Sequence, residues 1–133
     1  MITTEQYYGA WFKSEDLTGM RKANAIELLK RVNSLLAAYG DVPINHSTHS
    51  QVSGELYGGF RPQACRIGAT NSAHKEGSAV DVYDPHDKLD DWLTDNPEKL
   101  ISFNLYREYP TATIGWTHLT TRAPPSAKRS FYP

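Results

Sequence analysis

The stretch SAHKEGSAVDVYD, Ser72 to Asp84, sets a histidine and an aspartate on either side of a glycine, and a further histidine lies downstream in GWTHL. A catalytic zinc site takes three nitrogen or oxygen ligands and keeps its fourth position open. His74, Asp81 and His118 can supply that set. A zinc held this way activates water and polarises a carbonyl, the requirement for hydrolysing an amide. The reaction also needs a general base, and a positive group for the developing oxyanion or for a substrate carboxylate. Glu108 in NLYREY and Arg61 in GGFRP are the candidates. Each of these residues also has a plainer reading. His118 beside Trp116 is compatible with a hydrogen-bonded core histidine, Arg61 before Pro62 with a loop anchor, and Glu108 beside Arg107 with a solvated strand residue. His46 and His49 in NHSTH stand at i and i+3 without a third partner and read as surface residues.

Ligands need rigid supports, which strands provide. AVDVY alternates and predicts a strand over Ala79–Tyr83, with Asp81 and Tyr83 on one face and Val80 and Val82 on the other. Gly77 and Ser78 allow a tight turn between a loop-borne His74 and that strand. FNLYREY and TIGWTHLT are aromatic and β-branched runs separated by PTA, the pattern of an antiparallel hairpin on which Trp116 and His118 share a face. Around these strands, Ala25, Leu28, Leu29, Val32, Leu35, Leu36 and Tyr39 recur at helical steps, predicting an amphipathic helix over about 17–39 that ends at Gly40 and packs on the sheet. Leu89, Trp92 and Leu93 predict a second helix, and Asn96-Pro97 caps a third, PEKLIS. Residues 41–71 read as loop, with at most a short strand near QVSGELYGGF. Residues 120–133 read as an irregular wrap closed by Phe131 and Tyr132.

A chain of 133 residues with a hydrophobic fraction of 39% can bury a core as one domain. Its formal charge of −1 offers no field for a phosphate backbone or an anionic membrane, so nucleic acid and membrane partners are not expected. Cys65 is the single cysteine, which excludes an internal disulfide and a cysteine-rich zinc cluster. The N-terminus does not read as a secretory signal, and no apolar run reaches the ~18 residues of a membrane helix.

GGFRP, SAHKEGSAVDVYD and GWTHL resemble, in order, the three motifs of the zinc D-alanyl-D-alanine carboxypeptidases and their endopeptidase relatives in phage lysis. Ser72, His74, Gly77, Ala79, Asp81, Trp116 and His118 all match the pattern S-x-H-x-x-G-x-A-x-D followed by W-x-H. The resemblance spans Gly58 to Leu119, and the flanks are similar to those of small phage-encoded members. It implies a small α+β fold with a central antiparallel sheet, shared with the Hedgehog signalling domain, and one zinc per chain held by His74, Asp81 and His118. It also implies that Arg61, Ser72 and Trp116 serve the substrate, Arg61 holding its carboxylate or polarised carbonyl and Ser72 supporting the site by hydrogen bonds. One departure stands out. Many relatives carry the catalytic carboxylate three residues before the last histidine, where this chain has Gly115. Glu108 is the replacement expected, with Asp84 and His86 as fallback bases. The function so implied is a monomeric zinc peptidase of bacterial peptidoglycan peptide, a phage or prophage lysis enzyme made in the host cytoplasm without a signal and acting on the wall after release. The alternative is a noncatalytic zinc-stabilised module binding peptide or cell wall, of the kind carried on a virion.

Overall fold

The computed structural model describes residues 1–40 and 42–133. It opens with a short helix that no hydrophobic period signals, α1 (Thr4–Tyr8). A reciprocal cap makes it: Gln6 N–H donates to Thr3 Oγ1 at 3.2 Å and Thr3 N–H to Gln6 Oε1 at 3.0 Å. Its Tyr7 is buried and donates its hydroxyl to the Ala79 carbonyl at 2.9 Å, pinning the N-terminus to the central sheet.

The long helix, α2 (Gly19–Tyr39), begins slightly later than the hydrophobic pattern suggests, because Thr18 caps it by accepting from Arg21 N–H. Gly40 ends it at φ +92°, donating to the Leu36 carbonyl. Ala25, Leu28, Leu29, Val32, Leu35 and Leu36 are all buried, as their spacing predicts, and they join one apolar cluster with Val80, Val82, Leu89, Leu93, Leu100 and Leu119.

Then come β1 (Ala79–Tyr83), α3 (Lys88–Asp95), α4 (Glu98–Ser102), β2 (Tyr106–Glu108), β3 (Trp116–Thr120) and β4 (Ser130–Phe131). The strands form one sheet in the order β1-β3-β2-β4. β1 and β3 run antiparallel with Asp81 opposite His118, and β2 and β3 form the expected hairpin with Arg107 opposite Leu119. β4 lies parallel to β2, with Glu108 opposite Phe131. The resemblance implied a central antiparallel sheet, and β1, β3 and β2 are antiparallel, but the parallel β4 makes the sheet mixed, and the wrap expected over 120–133 contains that strand. Arg107 explains the extra pairing: its N–H donates to the Arg129 carbonyl at 2.8 Å and its Nε to Ser130 Oγ at 3.0 Å. The fold class is α+β, as expected.

Asp41, the first residue of the expected loop, lies outside the described residues. In the rest of that loop the segment QVSGELYGGF forms no strand, only an isolated bridge from Val52 to Val82. It nevertheless covers the free edge of β1. Ser53 N–H donates to the Asp81 carbonyl at 2.9 Å, and Asp81 N–H donates to the Gly58 carbonyl at 2.7 Å. Both backbone groups of Asp81 are thereby fixed by loop partners while β3 holds the strand's other edge. Among the described residues, no helix is long and apolar enough to cross a membrane.

Candidate metal centre

His74 sits on a single 3₁₀ turn, Ala73–Glu76, and three devices aim it. Ser72 caps the turn, its Oγ accepting from His74 N–H at 3.2 Å. Gly77 closes the turn at φ +74°, a conformation other residues adopt only under strain, and packs so closely on α2 that an added Cβ would fall 2.5 Å from the Arg21 carbonyl oxygen. The ring is 3% exposed and its Nδ1 lies 2.8 Å from the Gly59 carbonyl oxygen. A carbonyl only accepts, so Nδ1 carries the hydrogen and a neutral ring turns the lone pair of Nε2 inward. Gly59 is itself constrained, because a Cβ there would run into the Tyr7 carbonyl.

Asp81 and His118 face each other across the β1–β3 ladder, so the pleat puts both side chains on the same side of the sheet. The two imidazoles converge on one carboxylate oxygen: His118 Nδ1 lies 2.9 Å and His74 Nε2 3.3 Å from Asp81 Oδ1. A lone pair turned on a carboxylate oxygen is stable only with a cation, either a proton or a metal ion, between the two. Ligand atoms at 2.0–2.2 Å from a tetrahedral ion lie roughly 3.3–3.6 Å apart, which the His74 separation matches, while the 2.9 Å of His118 is a hydrogen-bond length. One ligand atom from each of His74, Asp81 and His118 lies within 4.8 Å of the others, and all three residues are buried, so this cluster could hold a metal ion.

With protons in place of an ion, the same groups also stabilise one another. Burial would raise the Asp81 carboxyl, but the His74 charge and hydrogen bonds from both imidazoles outweigh it and hold the group well below the usual carboxylate range. Burial would lower His118, but its bond to Asp81 and the charges of Asp81 and Glu108 raise it instead. Arg61 supports the carboxylate from behind, with Nη2 at 3.4 Å from Asp81 Oδ2.

The cluster opens into a pocket of about 500 Å³ that Arg61, Ser72, Glu108 and Trp116 also line. The structure thus brings together every residue proposed for the site from the sequence. Glu108 Oε1 lies 3.8 Å from His118 Nε2. The two fallback bases do not join them. Asp84 is buried and committed to the start of α3, accepting from Leu89 N–H and Asp90 N–H at 3.0 Å each and from Thr117 Oγ1 at 2.9 Å. His86 is exposed and outside the pocket, and His46 and His49 are exposed loop residues.

Three contributors to the site escape a reading of motifs. The Gly59 carbonyl acts through the backbone, which side-chain patterns do not display. Phe131 reaches the pocket from β4, its ring 6.4 Å from that of His118. Arg122 lines the pocket from just beyond β3, a cation with no motif spacing to announce it. Compared with protein-family models, curated proteins and solved structures, the chain has no significant match.

Proposed function

We propose that the protein is a zinc-dependent peptidase that hydrolyses an amide bond in bacterial peptidoglycan peptides, a lysis enzyme of phage or prophage type with the Hedgehog/DD-peptidase fold that its motifs resemble. The observation that carries this reading is the convergence of His74 Nε2 and His118 Nδ1 on Asp81 Oδ1, inside a pocket that Glu108 also lines. Two imidazoles and one carboxylate suit zinc, which when bound would acidify a water molecule and polarise the scissile carbonyl. His74, Asp81 and His118 would hold it, and the Gly59 carbonyl and Arg61 would orient the first two.

The remaining chemistry falls to the chain's own groups. Hydrolysis breaks the amide C–N bond, puts the water's hydroxyl on the carbonyl carbon and its proton on the departing amine. Glu108 carries that proton, taking it during attack and delivering it to the nitrogen. Ser72 keeps His74 in place, and Trp116 offers the substrate a half-buried aromatic wall beside the metal cluster.

A noncatalytic zinc-stabilised module for peptide or cell wall is the rival, and one observation favours it. The His118 ring atom that meets Glu108 is Nε2, the nitrogen facing away from Asp81. A carboxylate on the outer nitrogen of a ligand histidine orients that ligand, and such a Glu108 would leave no base, since Gly115 replaces the usual one. Metal analysis combined with digestion of purified peptidoglycan separates the two. One zinc per chain with release of new amino groups supports the peptidase. Zinc without release supports the module, and iron or no bound metal overturns both.

A further inference from the structure

Two guanidinium groups line the pocket, and their situations are opposite. Arg61 is 8% exposed, with Nε donating to the Tyr57 carbonyl at 2.8 Å, Nη1 to the Ile67 carbonyl at 3.2 Å and Nη2 to Asp81 Oδ2 at 3.4 Å. Gly68, at φ +80°, closes over it so tightly that a Cβ there would lie 2.6 Å from Nη1. Held by three acceptors and a covering loop, Arg61 has little freedom to meet a ligand. Its geometry suits a positioning residue that engages Asp81 Oδ2 and leaves Oδ1 to the metal.

Arg122 is built the other way. Its backbone N–H donates to Thr120 Oγ1 at 3.0 Å, which fixes it to the end of β3. Its Nη2 donates to the Asn71 carbonyl at 2.7 Å, which draws the guanidinium toward the loop just ahead of Ser72. The group is exposed, and no carboxylate pairs with it among the described residues. Pro124 and Pro125, which also line the pocket, restrict the chain that follows. A tethered arginine with most of its N–H donors unused, on a wall whose acidic side chains are Asp81 and Glu108, fits a ligand that brings its own negative charge past those acids.

We propose that Arg122, rather than Arg61, reads a carboxylate on the substrate peptide. This rests on the peptidase reading of the same site and deepens it. The carboxylate has two sources in a wall peptide, a free C-terminus or an acidic side chain, and the two imply cleavage at the end of the peptide or within it.

The test uses the zinc-loaded full chain and two pairs of peptides ending in D-Ala-D-Ala, one pair differing as C-terminal acid or amide, the other as an internal Glu or Gln. Amine release and NMR titration are followed in parallel. In one pair the acid should be preferred roughly 10- to 100-fold in KM or Kd, the range of a charged hydrogen bond. Arg122→Gln should bring that ratio close to one with zinc content retained, and Arg122→Lys should restore it in part. Arg61→Gln should keep the acid preference while its zinc affinity falls roughly 10- to 100-fold. Wild-type protein that treats both pairs alike overturns the proposal, as does an acid preference that survives Arg122→Gln. If no peptide is cut, the peptidase reading fails by itself, and the titration then decides on Arg122. Acid-dependent binding lost in Arg122→Gln upholds its role, and equal or absent binding overturns it.

Discussion

Gly77→Ala tests whether the turn that aims His74 is held by the packing described. Two costs apply. Alanine at φ +74° adopts a left-handed conformation at about 1–2 kcal/mol. Its Cβ also arrives 2.5 Å from the Arg21 carbonyl oxygen, a backbone atom in the first turn of α2 that cannot swing aside, and relieving such an overlap costs about 1–3 kcal/mol more. The sum is about 2–5 kcal/mol, a large share of the ~5–15 kcal/mol that holds a domain together. Gly40→Ala is the internal control: Gly40 has φ +92° and nothing within 4 Å of an added Cβ, so only the conformational cost remains. Urea unfolding of both variants and wild type, with and without zinc, measures the difference. The packing cost should appear as an excess loss in Gly77→Ala, accompanied by weaker zinc binding because the same turn carries His74. Equal losses in the two variants, to within ~0.5 kcal/mol, would refute the reasoning.

His74→Ala and His118→Ala should each abolish stoichiometric zinc, and chelation should lower the melting temperature of wild type but not of either variant, as read by metal analysis and calorimetry. Glu108→Gln should retain zinc while the rate of amide hydrolysis falls roughly 10²- to 10⁴-fold, as loss of a general base requires; turnover and metal content of one preparation check it. Asp90 predicts a pH effect away from the site. Burial pushes its carboxyl up to about 6, with Asp84 adding to the rise and Arg107, at 3.2 Å, opposing it. The folded chain therefore holds that proton more tightly than the unfolded one, so the resulting stability is complete below about pH 4 and lost as the pH rises through 6. Against Asp90→Asn, wild type should lose about 2 kcal/mol between pH 4 and pH 7, and a constant difference over that range would count against the assignment.

What could be read from the sequence was local. The alternation in AVDVY, the helical stripe from Ala25 to Leu36 and the two runs around PTA each announce themselves within a few residues, and all three formed where expected. The exact start of α2 depended on a cap, Thr18, which lies outside the apolar period. Partners distant in sequence were hidden for a physical reason. β4 is two residues long, too short for alternation to register, and it exists because Arg107 on β2 offers it bonds. The loop that covers the edge of β1 carries no strand pattern because it donates and accepts at scattered positions around a bridge. Motif matching named Arg61, Asp81 and Glu108 but not Arg122, and it could not give the direction in which each points. Arg61 stood out in GGFRP, and only its three acceptors show how much of the guanidinium is already engaged.

The register explains how residues 81, 118, 108 and 131 come to share one site. Asp81 lies opposite His118 on β3, the β2–β3 pairing carried one residue past Arg107–Leu119 puts Glu108 opposite His118, and Glu108 in turn lies opposite Phe131. The four form a single row across the sheet, at roughly 4.8 Å per strand and on one face of it. Val80, Val82 and Leu119, their neighbours along the strands, turn to the other face and join the apolar core with α2. The same pleat that buries the core therefore raises the site, and a one-residue slip of the hairpin would remove Glu108 from the row and expose Leu119 together. Within the row His118 stands between two carboxylates, its Nδ1 toward Asp81 at 2.9 Å and its Nε2 toward Glu108 at 3.8 Å. A carboxylate at position 115 would approach the metal from the turn. On the peptidase reading Glu108 would instead act from the next strand over, past the imidazole it meets at 3.8 Å.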